Sequence, residues 1–166
     1  EPYRRQRQMC IRDRLRSIID TGMVDGVALM DVTMNDPRIE LAQLSSIPLI
    51  SIGHPMNEIN VPCIDTDFIE MGEMIMQTLC RNGHSRILFA GGKEIDYERN
   101  GGANYLIRLR ASMHDAAARY KIHIDEEFTD EDDFDAAENL LERFISSENT
   151  AIVTQGGPLF LSLIHI

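Results

Sequence analysis

The feature that most constrains the fold is a regular alternation of short apolar runs with amphipathic helical patterns. "RILFA" (86–90) lies between Gly83 and the Gly91–Gly92 pair. "VDGVALM" (24–30), "IPLISIG" (47–53), "VPCID" (61–65), "KIHI" (121–124) and "TAIVT" (150–154) have the same character. Short, mostly continuous apolar runs closed by turn residues predict strands buried on both faces, as in parallel sheets. Between them, residues 37–44 predict a helix with Asp36 as N-cap and Pro37 at its first position, where the missing N–H costs nothing.

The clearest helical pattern spans 68–82, where Met71, Met74, Ile75, Thr78 and Leu79 recur at helical spacing and predict a core-facing stripe, with Gly83 as the stop. A further helix is predicted from Tyr105 to Tyr120, with Leu106, Leu109, Met113 and Ala117 on one side, and another carries Ala137, Leu140, Leu141 and Phe144. Residues 125–133 read as an acidic, solvated loop. The whole predicts an α/β fold of parallel sheets flanked by helices.

Charge narrows the partners. Residues 1–16 hold six arginines against Glu1 and Asp13, a local +4 that leaves the other 150 residues at −15, since the whole chain is −11. So acidic a body repels a phosphate backbone, which points to a small molecule or another protein as direct partner. Cys10, Cys63 and Cys80 form no CxxC pair, which suits a reducing compartment and predicts a cytoplasmic protein. No apolar run approaches the roughly 18 residues of a membrane span. Residues 1–14 read as an extraneous or disordered flank and 156–166 as an extraneous tail, because neither continues the strand and helix pattern.

Catalytic motifs fail on inspection. A phosphate loop needs a glycine five residues before its Gly-Lys and a hydroxyl residue after it, whereas Ile87 and Glu94 stand there. Gly91–Gly92 lacks the third glycine of a dinucleotide fingerprint. Ser85 precedes a strand instead of following one, so it is no nucleophile elbow. Cys80 and His84 have no second ligand pair at usable spacing for zinc. The reading is no catalytic residue, no metal and no cofactor. What remains is the rule that open α/β sheets bind ligands beyond the carboxyl ends of their strands. Those ends hold Asp31, His54, the Asp65-Thr66-Asp67 triplet, the loop after Gly92, and Thr154 and Gln155, groups suited to a hydroxyl-rich ligand.

The order of these segments, with "GHSRILFAGG" at 83–92 as the most specific part, resembles the effector-binding core of the LacI/GalR family of bacterial transcription regulators over residues 15–155. The resemblance implies a two-lobed, type I periplasmic-binding-protein-like fold, incomplete in this chain, with residues 15–83 in a partial first lobe and 84–155 in a partial second. Gly83 and His84 would then form the hinge, and a sugar-like effector would sit in the interlobe cleft. It also implies a homodimer that meets operator DNA through a helix-turn-helix head outside this sequence. Arg108 matches the arginine of the family's R-x-x-G-aromatic pattern, although Ala111 and Ser112 replace the glycine and the aromatic. With Asp67, Gln155, Thr154, His54 and Asp31 it makes up the expected effector-binding set. The alternative is the solute-binding protein of a sugar importer, which shares the fold.

Overall fold

A computed structural model describes residues 2–55, 61–98, 102–129 and 134–155. The chain forms two compact units, residues 1–66 with 99–104 and residues 67–98 with 105–166.

The first unit holds α1 (Pro2–Thr21), β1 (Val27–Leu29), α2 (Pro37–Leu44), β2 (Leu49–Ile52) and β3 (Cys63–Ile64). Its strands pair in parallel in the order β1-β2-β3, with Leu29 opposite Ser51 and Ser51 opposite Cys63. Leu15, Leu29, Val32, Ile39, Ala42 and Val61 form the core. The Asp36 carboxylate caps α2 by accepting from Arg38 N–H, and Pro37 opens the helix, as the sequence predicts. The backbone from Pro2 onward is helical and runs without a break into residues 15–21, where Leu15 and Ile19 pack on the core.

In the second unit are α3 (Phe68–Arg81), β4 (Arg86–Gly91), a 3-10 turn (Glu94–Tyr97), α4 (Asn104–Tyr120), β5 (His123–Phe128), α5 (Phe134–Ile145) and β6 (Ala151–Gln155). Asn104 alone of α4 groups with the first unit. The strands are parallel in the order β5-β4-β6. Alternation along β4 splits its side chains between two cores. Ile87 and Phe89 face Met76, Leu109, Met113, Ala116 and Ala117, while Leu88 and Ala90 face Ala137 and Leu140. Phe89 is 1% exposed, and burial of a side chain of that size stabilises by about 2–3 kcal/mol.

Two expectations change. First, α3 presents a different face to the core. Gly72 and Met76 are buried and Phe68, Ile75 and Leu79 pack on the core, whereas Met71, Met74 and Thr78 are exposed. The cause is a close helix crossing, where the Ser112 hydroxyl donates to the Ile69 carbonyl at 2.7 Å. Second, residues 125–128 are not loop but the body of β5, because partners on neighbouring elements hold their carboxylates; Asp130–Asp133 lie outside the described residues.

By internal contact the two compact units meet in sequence at Thr66–Asp67. Gly83 terminates α3 inside the second unit, as the sequence predicts. With φ +82, its N–H donates to Cys80 and that of His84 to Leu79, the paired bonds that close a helix through a left-handed residue. The His84 ring meets the Thr150 hydroxyl at 2.9 Å, beside the start of β6.

A Cβ on Gly72 would lie 2.7 Å from Ser112 Cβ and 2.9 Å from the Met113 nitrogen. Gly72→Ala is therefore expected to destabilise the second unit by about 1–3 kcal/mol despite alanine's better helix propensity. Adding Ser112→Gly should recover part of that loss. Urea unfolding followed by circular dichroism measures both.

Candidate functional site

Parallel strands bring all their carboxyl ends to one edge of a sheet, so each unit has one edge where loops converge. In the first unit the loop after β1 is organised by Asp36, which is 3% exposed. Its carboxylate takes Arg38 Nε at 2.8 Å and Nη2 at 2.5 Å, the Arg38 N–H at 3.0 Å and the Thr33 N–H at 3.3 Å. Arg38 Nη2 also donates to the carbonyls of Met30 and Asp31. The hydrogen bond to Asp36 raises the Arg38 pKa despite burial. Asp31 adopts φ 51, a left-handed conformation that Asp tolerates better than most residues. His54 donates its backbone N–H to Asp65 at 3.0 Å and is itself exposed. Thr33 bridges Ala103, yet Thr33 Oγ1 and both polar atoms of Asn104 are buried with no hydrogen-bond partner among the described residues.

In the second unit, Phe128, Gly91 and Gln155 stand side by side in register across the three strand ends. Register partners in a parallel ladder point to the same face, and the place of the missing Gly91 side chain is filled by the Phe128 ring and the Tyr97 hydroxyl. A Cβ on Gly91 would lie 2.8 Å from the Phe128 ring and 2.9 Å from Tyr97 Oη. The Tyr97 and Phe128 centroids are 4.9 Å apart, with Phe89 edge-on to Tyr97 at 6.1 Å. Burial pushes the Tyr97 phenol up to about 12. The Gly92 N–H approaches Tyr97 Oη without reaching bonding geometry, so among the described residues this oxygen has no hydrogen-bond partner, and neither has Gln155 Oε1.

Charges at the same edge are paired. Arg110 grips Glu126 with two bonds of 2.7 and 2.5 Å and lies 5.3 Å over the Phe128 ring. His114 Nε2 meets the same carboxylate at 2.9 Å. Arg143 pairs with Glu127 at 2.6 Å beside a hollow lined by Phe128, Thr129, Asn139 and Leu140.

The residues singled out from the sequence fall as follows. Thr154 and Gln155 end β6 on opposite faces, opposite Ala90 and Gly91. Asp67 caps α3, accepting from the N–H groups of Ile69 and Glu70. Arg108 lies 5.8 Å over the Phe68 ring. Ala111 is exposed and the helix contact falls one residue later, on Ser112, so the R-x-x-G frame drawn from Arg108 does not coincide with the close approach. Asp31, His54 and Asp65 belong to the first unit, Arg108, Thr154 and Gln155 to the second. Tyr97, Asn104, Thr33 and the Arg110–Glu126 pair were not read from sequence. Only the unexplained Tyr97, in a polar stretch, could have signalled them. Among the described residues no group of three or more His, Cys, Asp and Glu could hold a metal, and no helix is long and apolar enough to cross a membrane.

Comparison with known proteins gives these edges a context. No family model matches the chain. It is 28% identical over 142 residues to the HTH-type transcriptional regulator AglR of Rhizobium meliloti, covering 77% of this chain and 36% of that protein. It is 25% identical over 104 residues to the HTH-type transcriptional regulator MalR of Staphylococcus xylosus, covering 61% of this chain and 31% of that one. Among solved structures, a LacI-family transcriptional regulator from Bifidobacterium animalis superposes with a TM-score of 0.78 at 20% identity, over 92% of this chain and 55% of that one. The chain therefore has the α/β fold of LacI-family regulators and spans about a third of the length of the curated relatives it matches.

The Arg110–Glu126–His114 group makes the second edge sensitive to acid. Burial alone would raise the Glu126 pKa, but hydrogen bonds from Arg110 and His114 outweigh it and hold the group below its ordinary 4.5. A depressed folded-state pKa gives stability that is present above the unfolded value and lost as pH falls through the folded one. The melting temperature is expected to drop as pH falls below 4.5, and Arg110→Gln should flatten that drop, as followed by thermal melts across pH.

Proposed function

We propose that this chain is the effector-binding portion of a ligand-responsive bacterial transcriptional regulator of the LacI/GalR type, and that it takes a small, sugar-like polar molecule at the carboxyl ends of its strands. One observation carries the reading. Of the buried side-chain polar atoms left without a hydrogen-bond partner among the described residues, five belong to segments that follow strand carboxyl ends or close them: Thr33 Oγ1, Asn104 Oδ1 and Nδ2, Tyr97 Oη and Gln155 Oε1. The other two, Arg86 Nε and Asn149 Oδ1, lie at the amino ends of β4 and β6, and Arg86 Nε still has the Glu148 carboxylate at 3.6 Å. An unpaired buried polar group costs about 1–3 kcal/mol. Its concentration at one edge of each sheet supports a ligand that completes these bonds.

Arg108, Asp67, Gln155, Thr154, His54 and Asp31 supply the remaining polar contacts in this reading. Arg108 suits vicinal hydroxyls because a rigid fork of donors grips two oxygens at once. No chemistry is performed. The effector shifts the population of two conformations, and only as far as it binds one better than the other. That shift alters the geometry of a DNA-binding homodimer in the cytoplasm, whose helix-turn-helix heads meet the operator. Relatives that are transcriptional regulators favour this reading over the solute-binding protein of an importer.

Calorimetric titration of the chain with a panel of sugars and nucleobases is expected to find a ligand, and Arg108→Ala should weaken it by roughly tenfold or more. Unchanged affinity would remove Arg108 from the site, and a panel with no binder would refute the reading.

A further inference from the structure

We propose that the hollow between the end of β5 and the flank of α5 is a second ligand site, and that it takes a small α-amino acid as its zwitterion. The site does not rest on the function proposed for the strand ends. Glu127 stands in register with Ala90, which packs with Ala137 and Leu140 on the α5 side of the sheet, whereas Phe89 and Tyr97 belong to the core on the other side. Along α5, Ala136, Asn139, Leu140 and Arg143 recur at i, i+3, i+4 and i+7, so a single stripe of the helix forms the facing wall. The hollow measures about 140 Å3, against roughly 10–15 Å3 needed to admit one water. Ala136 is the smallest member of the stripe, and a longer side chain there would take up part of the space.

The chemistry of the walls selects the ligand. Arg143 Nη1 donates to Glu127 Oε2 at 2.6 Å. Both side chains reach solvent, and exposed pairs of this kind add little to stability. Glu127 Oε1 and Arg143 Nε and Nη2 stay unengaged among the described residues. Phe128, also in the lining, adds backbone groups. The N–H groups of His123 and Thr129 point to β4, so by alternation Phe128 directs its N–H and C=O away from β4, on the outer side of the sheet.

A lone anion at Arg143 would meet the Glu127 carboxylate, and a lone cation at Glu127 would meet the Arg143 guanidinium. A zwitterion sets its ammonium on Glu127 and its carboxylate on Arg143, so that four charges alternate and every bond is charge-assisted. In an α-amino acid one carbon separates the two groups, which suits a pair held this close. A sugar hydroxyl would meet each charge without offsetting it. The Asn139 amide can donate to the carboxylate or accept from the ammonium. Ala136 and Leu140, both buried, leave an apolar wall for a short aliphatic side chain.

The test uses the full chain with L-valine as the zwitterion, isobutylamine as its cation alone and isovalerate as its anion alone. Isothermal titration is run on wild type, Arg143→Gln and Ala136→Leu, with a thermal melt of each to establish that it folds. Valine is expected to bind with a Kd of about 1 mM or tighter, and the amine and the acid at least tenfold more weakly. Arg143→Gln removes the charge and Ala136→Leu fills the space, so each should lose at least tenfold in valine affinity. Arg143 is a surface side chain, so its variant remains folded and keeps the test decisive if Ala136→Leu does not fold. The proposal is overturned if valine does not bind, if the amine or the acid binds as tightly as valine, or if either folded variant binds valine as wild type does.

Discussion

The second unit depends on β4 being the middle strand of its sheet. β5 on one side and β6 on the other satisfy its backbone, and its two faces supply the centres of two cores, Ile87 and Phe89 on one side, Leu88 and Ala90 on the other. A strand enclosed on four sides leaves little freedom, so its last residue, Gly91, is set in place relative to Phe128, Gln155 and Tyr97. The candidate site thus inherits its precision from hydrophobic burial deeper in the sheet. Its own polar groups, two of which are unpaired, do not hold it together.

The first unit reaches a comparable end by electrostatics. Its three strands are short, and the loop after β1 is held by a single buried carboxylate that ties Thr33, Arg38 and, through Arg38, the carbonyls of Met30 and Asp31. A nearly buried pair of this kind is costly to desolvate, and it is tolerated because both Asp36 oxygens and Arg38 Nε and Nη2 find partners. The contrast matters for function. Saturated polar groups such as Asp36, Arg38, Arg110 and Glu126 build the edges, whereas the unsaturated ones, Thr33, Asn104, Tyr97 and Gln155, remain available for something else.

Much of the architecture was readable from sequence, because the signals involved are local. The run at 86–90, Asp36 before Pro37 and Gly83 at the end of α3 each act through backbone groups within a few residues. Where reading failed, a distant contact decided the outcome. Methionine hydrophobicity pointed to Met71 and Met74, but the crossing of α3 and α4 at Gly72 and Ser112 turns the helix so that Met76 lies inward. Asp125, Glu126 and Glu127 looked like solvated loop until Arg86, Asn149, Arg110, His114 and Arg143 were placed around them. α3 likewise packs on a core built from later residues, Leu109, Met113, Ala116 and Ala117.

The candidate site was the least readable part, and the reason is physical. Strand ends could be named, which gave Thr154 and Gln155, but a residue becomes a ligand contact by lacking a partner, and sequence carries no mark of that. Tyr97 would ordinarily be counted as a buried aromatic whose hydroxyl finds a neighbour. Its hydroxyl finds none among the described residues, packed where a Gly91 side chain would stand, and the Gln155 amide oxygen is in the same condition. Folding alone gives no reason to keep both oxygens there, because phenylalanine and leucine would fill the same space without the penalty. Under the proposed function that penalty is offset when a ligand completes these bonds.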